Sequence, residues 1–288
     1  AFVHIAPDST ITVISKHTEM GQGIYTGLAT LIAEEMDASW NQMRVESAPV
    51  NVGLYMHLML GLQGTGGSMS IPNCWVQYRT VGAAARAMLV TTAADAWNVP
   101  ESEISISNGV ISHSLSNRVA PFGEFAEAAA SLPVPEDVVL KTPDQYKLIG
   151  TGLPKVDTLE KINGEAIYTI DIQRPGMMTA VVAHAPRFGA KLLSFDDSET
   201  RKIPGIVDVV EIPRGVAVLA KNFHTAKRGR DSLITQWDFS AAEMRSSDEI
   251  FNDYAVLAQQ PGAALEVEGD SAAALSSAAQ TIEATYEF

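Results

Sequence analysis

Between Phe2 and Glu46 the spacing of apolar residues changes period twice, and no single secondary-structure element accommodates that change. Phe2, His4, Ile11, Val13 and Ser15 alternate around the turn residues Ala6-Pro7-Asp8-Ser9, which is the pattern of a β-hairpin. Ile24, Leu28, Leu31, Ile32, Met36 and Trp40 then follow helical spacing, and Arg44-Val45-Glu46 opens another extended piece. Gly21-Gln22-Gly23 separates the two patterns. The sequence therefore predicts a strand, a glycine turn, a helix and a strand in that order.

Further elements follow that unit along the chain. Residues 53–70 are rich in glycine and methionine and predict a shaped loop rather than a continuous helix. Asn73 is the expected N-cap of a long alanine-rich helix reaching Trp97, with Pro100 just beyond it. Residues 104–107 and 110–113 flank Asn108-Gly109 and predict a type I′ hairpin, followed by a short amphipathic helix over 121–131. Residues 133–156 carry Pro133, Pro135, Pro143, Gly150, Gly152 and Pro154, the composition of a linker, and place a domain boundary near 145–155. Beyond it, strands are expected over 166–171, 178–184, 192–196, 207–211 and 215–220, with helical stretches over 198–202 and 223–233, so the class is α+β. Helices over 247–259 and 271–279 precede an alternating strand, 281–288. With no turn or cap after it, that strand predicts an unfinished sheet edge and a processed or truncated polypeptide.

At roughly 100–200 residues per domain, a chain of 288 residues makes about two domains. Its 34 acidic and 20 basic residues give a net charge of −14, which repels a phosphate backbone and argues against nucleic acid or a polybasic membrane contact. Cys74 is the one cysteine, so the chain cannot build a disulfide, a CxxC pair or a cysteine-ligated iron–sulfur cluster from its own thiols. No run approaches the ~20 apolar residues of a membrane span, and the start at Ala1-Phe2-Val3 reads directly as strand rather than leader. His4, His17, His57, His113, His184 and His224 have no HExxH or facial-triad spacing, so no metal ligand is assigned.

Two segments carry possible chemistry. Thr18-Glu19-Met20-Gly21-Gln22-Gly23-Ile24-Tyr25-Thr26 sets a glycine-flanked glutamine before a helix N-terminus. Its free N–H groups suit an anion, and the Gln22 amide offers a donor and an acceptor to a polar ring. Taken alone, a plain tight turn is the commoner meaning of such a tripeptide. Gly64-Thr65-Gly66-Gly67-Ser68-Met69-Ser70 is a second candidate anion cradle, with a flexible surface loop as its bland reading. Neither segment has the lysine of a P-loop, and no GxGxxG follows a strand, so a nucleotide-dependent transferase ranks last.

Taken in order, Glu19-Met20-Gly21-Gln22-Gly23 with Thr26, the 64–70 loop, Trp75, Arg79, Gly82-Ala83-Ala84-Ala85-Arg86 and Trp97-Asn98-Val99-Pro100 carry a family likeness. Residues 10–112 resemble the molybdenum-binding subunit of the xanthine dehydrogenase/aldehyde oxidase family, in particular the isoquinoline 1-oxidoreductase β-subunit type. In the second half, Asp157-Thr158-Leu159-Glu160-Lys161-Ile162-Asn163-Gly164-Glu165-Ala166-Ile167-Tyr168, Pro175-Gly176-Met177-Met178, Gly189-Ala190-Lys191 and Pro204-Gly205-Ile206-Val207 resemble that family's α/β hammerhead domain. The resemblance implies a molybdopterin cofactor-binding segment over 1–150, a hammerhead-like domain over 151–240 and the start of the next cofactor-binding segment over 241–288. It also implies a molybdopterin cytosine dinucleotide held by Gly21, Gln22, Gly23, Thr26, Gly66, Gly67, Ser68 and Ser70.

The implied chemistry is hydroxylation of an aldehyde or N-heterocycle with oxygen from water, the cofactor carrying the redox step. The implied partners are the remainder of the large subunit or a second chain, a small [2Fe–2S] subunit, a small-molecule substrate and, in some complexes, a cytochrome c subunit. Relatives often carry a twin-arginine leader, which implies a periplasmic location, the cytoplasm being the alternative. The glutamate that serves the family as base has no matching position here, so no catalytic residue is assigned and the chain alone is expected to be inactive. The competing expectation is a cofactor-free interaction or scaffold module that keeps the fold.

Overall fold

The computed structural model describes residues 1–288. Contacts divide the chain into two units, Ala1–Ile172 and Gln173–Phe288. The fold is mixed α+β, with separate small sheets and packed helices.

The first unit opens with β1 (Val3–Ile5) and β2 (Ile11–Ser15), paired antiparallel with Val3 opposite Val13. Asp8 accepts the Thr10 amide at 2.9 Å and Ser9 takes φ 69, which closes the predicted turn. Helix α1 (Ile24–Met36) then carries the chain over to β3 (Met43–Ser47), which lies parallel to β2 with Ile11 opposite Met43. A helical crossover is what parallel pairing of two nearby strands requires. A short helix α2 (Val52–Tyr55) and the 56–69 loop lead to α3 (Ser70–Trp97), the long helix of this unit.

Helix α3 packs against α1, and Gly82 permits the closeness of that crossing. A Cβ at Gly82 would sit 2.8 Å from the Ile32 carbonyl oxygen. β4 (Ile104–Ser107), β5 (Val110–His113) and β6 (Arg118–Pro121) form an antiparallel sheet, with α4 (Phe122–Ala130) following. Asn108 and Gly109 both have positive φ, 48 and 76, as a type I′ turn demands. The core of this unit gathers Ile11, Leu28, Ile32, Met36, Met43, Tyr78, Leu89, Ile111 and Phe122, all fully or almost fully buried. Each large apolar side chain so placed contributes roughly 1.5–3 kcal/mol.

The segment expected to be a linker, 133–156, is an ordered strap along α1. Glu34 and Glu35 are buried on α1, where an unpaired carboxylate would be costly, and the strap supplies their partners. Glu34 accepts the amides of Lys147 (2.9 Å), Leu148 (2.7 Å) and Ile149 (3.0 Å) and the Lys141 ammonium at 3.1 Å. Glu35 accepts Arg79 at 2.7 Å and the Lys141 amide at 3.0 Å, and the Arg79 guanidinium lies over the Trp75 and Tyr146 rings. Composition predicts a linker because the segment is poor in apolar residues. Its order comes instead from backbone donors captured by distant carboxylates.

Residues 151–172, with α5 (Thr158–Asn163), also stay with the first unit. Trp40 donates to the Pro154 carbonyl at 3.1 Å, and the Val156 amide donates to Thr26 at 3.2 Å. The observed division at 172/173 therefore lies beyond the expected 150/151.

In the second unit, β7 (Thr179–His184), β8 (Lys191–Asp196), β9 (Ile206–Ile212) and β10 (Gly215–Ala220) precede α6 (Phe223–Asp231) and β11 (Ile234–Asp238). β10 is the middle strand of an antiparallel sheet ordered β7-β10-β9, and β8 pairs with β11. Val209, Val216 and Val218 form the small core beneath α6. α7 (Ser247–Leu257) and α8 (Ser271–Ser277) follow, and residues 251–288 are exposed throughout.

Several local expectations are corrected. Helix α3 starts at Ser70 with Met69 as N-cap, so Asn73 lies inside its first turn and its side chain serves elsewhere. Residues 166–171 form no strand but end in a single 3-10 turn, Thr169–Asp171, and 198–202 holds only the turn Thr200–Lys202. Residues 281–288 form no strand: alternation prepares a segment for a sheet edge, and here no edge pairs with it.

Candidate functional site

β2 ends at Ser15 and α1 begins at Ile24, and the loop between them holds the first candidate residues. Gly21 and Gly23 take φ 102 and 89, a region L side chains rarely adopt, and a Cβ at Gly21 would meet nothing within 4 Å. Glycine is needed there for backbone direction, not for lack of room. The Gln22 amide is half used by its own loop: Oε1 accepts the Met20 amide at 2.7 Å and Nε2 donates to the Thr18 carbonyl at 2.9 Å. One N–H and one oxygen lone pair remain for a ligand.

The loop is not the open anion cradle that the sequence predicts. The Glu19 carboxylate occupies it, Oε1 accepting the amides of Gly21 (2.8 Å) and Gly23 (3.1 Å) and Oε2 accepting that of Tyr25 (3.1 Å). Burial works against ionisation of Glu19, but the amides of Gly23, Tyr25 and Gly21 outweigh it and hold the carboxyl below its ordinary range. Thr26 is likewise engaged, its hydroxyl accepting the Val156 amide. Beside this loop opens a cavity of about 730 Å³ lined by Glu19, Met20, Gly21, Tyr25, Asp157, Lys161 and Tyr168. Asp157 pairs with Lys161 through Oδ2, while its Oδ1 is buried without a partner.

The second loop is finished differently. Gly67 and Ser68 take φ 62 and 56, and α3 starts at Ser70 with no side-chain cap on its N-terminus. Within the first turn of α3, Pro72 has no N–H and the Asn73 amide donates to the Met69 carbonyl at 2.9 Å, so the amides of Ser70 and Ile71 are the donors left without an intrahelical acceptor, at the positive end of the helix dipole beside the Ser68 and Ser70 hydroxyls. Gly66 and Gly67 are exposed, and a Cβ at Gly66 would meet nothing within 4 Å.

The structure ties the two loops together at their stems. Thr65 Oγ1 accepts the Thr18 amide at 2.8 Å and lies 3.3 Å from His17 Nδ1. Asn73 Oδ1 accepts the Leu58 amide at 3.0 Å, which turns its Nδ2 toward His17 Nε2 at 3.1 Å. His17 thus accepts through Nε2 and donates through Nδ1, the neutral form. Burial, then Lys16 and then His57 push its pKa down to about 4. Lys16 is buried as well, donating to Gln77 at 2.7 Å, with its pKa lowered by burial. Cys74 is fully buried and its thiol is pushed up to about 11, chiefly by burial, so it is inert packing rather than a thiolate. No group of three or more His, Cys, Asp or Glu side chains is disposed to hold a metal ion.

Gly21, Gln22 and Gly23 therefore share one loop, Gly66, Gly67, Ser68 and Ser70 the other, and Thr26 faces the strap. Glu19, Thr65, His17 and Asn73 are the residues that sequence reasoning does not assign. Glu19 lies within the motif itself, but only folding shows which amides its carboxylate reaches.

The two loops, built from backbone donors and small side chains at helix starts, are the candidate binding segment of this chain. The chain belongs to the molybdopterin cofactor-binding domain family, which matches residues 1–182, a stretch containing both loops. It is 32% identical over 273 residues to the beta chain of isoquinoline 1-oxidoreductase from Brevundimonas diminuta, covering 82% of this chain and 35% of that protein. It is 33% identical over 247 residues to the membrane-bound aldehyde dehydrogenase [pyrroloquinoline-quinone] of Gluconacetobacter polyoxogenes, covering 81% and 31%. A nicotinate dehydrogenase component of Pseudomonas putida KT2440 is 29% identical over 250 residues, covering 82% and 20%.

The chain thus spans between a fifth and about a third of the length of these relatives. Among solved structures, quinoline 2-oxidoreductase from Pseudomonas putida 86 overlaps 48% of this chain and 17% of its own at 18% identity and a TM-score of 0.35. The Cu,Mo-CO dehydrogenase overlaps 31% and 15% at 16% identity and a TM-score of 0.26. No helix is long and apolar enough to cross a membrane.

Proposed function

We propose that this chain is the N-terminal part of the large subunit of a molybdenum hydroxylase and contributes binding of its molybdopterin cofactor. The observation that carries this reading is the junction of the two glycine loops through Thr65 and His17, inside the stretch that matches the cofactor-binding family. The residues fit such a group. The Ser68 and Ser70 hydroxyls and the free amides of Ser70 and Ile71 would hold phosphate, and the free half of the Gln22 amide would meet the edge of a heterocycle. Gly21, Gly23, Gly66 and Gly67 let backbone approach the group closely, and Thr26 and Glu19 hold the first loop in shape.

When bound, the group supplies two-electron oxidation of an aldehyde or N-heterocycle with oxygen from water. The chain's part is to bind and orient it, and the base for the reaction lies outside these residues. The cytosine dinucleotide form is the one this reading takes, since a second phosphate-bearing half gives the loop before α3 its ligand. By family likeness a small partner subunit carries the [2Fe–2S] centres, since one cysteine cannot ligate such a cluster. The remainder of the large subunit, and in some complexes a cytochrome c subunit, complete the assembly, with a periplasmic location by family likeness.

The alternative, a cofactor-free module of the same fold, draws on the Glu19 carboxylate filling the first loop. Elemental mass spectrometry on the complex purified from its native source separates the two. About one molybdenum per copy of this chain, with CMP released on acid hydrolysis, is the expected result. Molybdenum near zero in a fully matured complex overturns the hydroxylase reading, and release of no nucleotide overturns the dinucleotide form.

A further inference from the structure

The amides of Gly21, Gly23 and Tyr25 converge at the N-terminus of α1, the arrangement that ordinarily receives an external anion. Here each of them already donates to Glu19, at 2.8, 3.1 and 3.1 Å. The carboxylate comes from the same loop, two residues before Gly21, so it is present at an effective concentration no free anion matches. We infer that Glu19 is a positioning residue that sets the specificity of the first loop: by filling the cradle with the chain's own carboxylate it excludes phosphate and leaves Gln22 to meet an uncharged group. A phosphate brought to these amides would find all three donors taken by a carboxylate already in place, with Lys155 engaged on the Gly21 carbonyl at 3.2 Å and Lys161 paired with Asp157. With Glu19 seated, Gln22 is held by Met20 and Thr18 with one donor and one acceptor spare, a pairing that suits a neutral edge.

This inference rests on the reading that the two loops bind one cofactor, and its test is chosen to fail separately from that reading. Inorganic phosphate is titrated into the full 288-residue chain and followed by amide NMR, for wild type and for Glu19→Ala. In wild type the amides of Gly21, Gly23 and Tyr25 stay unmoved. In Glu19→Ala they shift saturably with phosphate, and acetate, which restores a carboxylate in trans, competes for the same amides. A merely structural role for Glu19 produces no such gain.

Phosphate-dependent shifts of these amides in wild type overturn the inference, as does a folded Glu19→Ala chain that responds to neither anion. Glu19→Gln keeps the side-chain volume and serves if the alanine variant does not fold. Its expected effect is roughly tenfold faster hydrogen exchange at these amides, from loss of charge-assisted hydrogen bonds, and unchanged exchange overturns the inference. Shifts at Ser68, Met69 and Ser70 report on the second loop alone, and their absence breaks the phosphate reading of that loop while leaving the Glu19 result standing.

Discussion

Helices α1 and α3 are both entered through glycine-bearing loops, yet the two entrances are finished in opposite ways. At α1 the chain answers its own helix terminus with Glu19, while at α3 the cap is Met69 and offers no side-chain acceptor. A helix start that brings its own carboxylate is closed to outside anions, and one that does not remains available to them. The closed form recurs on a larger scale where Glu34 collects the amides of Lys147, Leu148 and Ile149 and fastens the strap to α1. Glu19 and Glu34 thus each satisfy several backbone donors, whereas the loop before α3 has no carboxylate of its own and leaves its donors for a ligand.

Removing the internal anion that accepts the most hydrogen bonds is the harshest way to break the contrast. Glu34→Ala leaves the strap amides of Lys147, Leu148 and Ile149 without their buried acceptor, while Lys141 keeps Asp37 at 2.9 Å, and is expected to cost about 3–5 kcal/mol from the three unsatisfied donors, read as a lower urea midpoint with faster exchange over residues 147–149. A loss below about 1 kcal/mol would show that the strap is held by packing alone.

The next effect is a pH dependence at the tie between the loops. His17 is held neutral with a pKa of about 4 against an ordinary 6.5, so on acidification the unfolded chain takes up this proton first. Stability therefore falls as pH drops from 6.5 toward 4, by an amount on the order of 3 kcal/mol. Glu19 and Glu34 have lowered pKa values, so their contribution is complete above 4.5 and is lost below it, as pH falls through their folded-state values. Unfolding free energies measured across this range should lose the upper window, and keep the lower one, in His17→Gln. An unchanged upper window in that variant would remove His17 from the account.

The mildest change sharpens the comparison. Thr65→Val takes away the acceptor shared by the Thr18 amide and His17 while preserving side-chain shape, at an expected cost of about 1–2 kcal/mol. If the two loops act as one site, molybdenum occupancy of the complex falls with it. Full occupancy at reduced stability would mean that the loops need not be joined.

The elements that can be read without coordinates are those whose signals are local. The β1–β2 hairpin, α1 after Gly21-Gln22-Gly23, and the Asn108-Gly109 turn follow from period and turn chemistry alone. Gly21 and Gly23 are legible as turn positions for the same reason, since positive φ is a property of the position itself. Composition misses the strap because Pro and Gly content describes a segment's own stiffness and says nothing of Glu34 more than a hundred residues away. Asn73 misleads because a capping residue and a long-range acceptor look alike until the fold chooses between them. Residues 281–288 alternate without pairing, because alternation records a readiness to pair and the partner edge is a separate condition.

By itself, then, the sequence determined the order of strand, glycine turn, helix and strand, the mixed class, and the positions where backbone must turn left-handed. These depend on interactions within a few residues. Only the tertiary structure decided that Glu19 closes one helix entrance, that His17 and Thr65 draw the other loop beside it, and that Glu34 turns a proline-rich stretch into a strap. Each of those is a buried polar group finding its partner, and which partner it finds depends on what packing brings within hydrogen-bond distance.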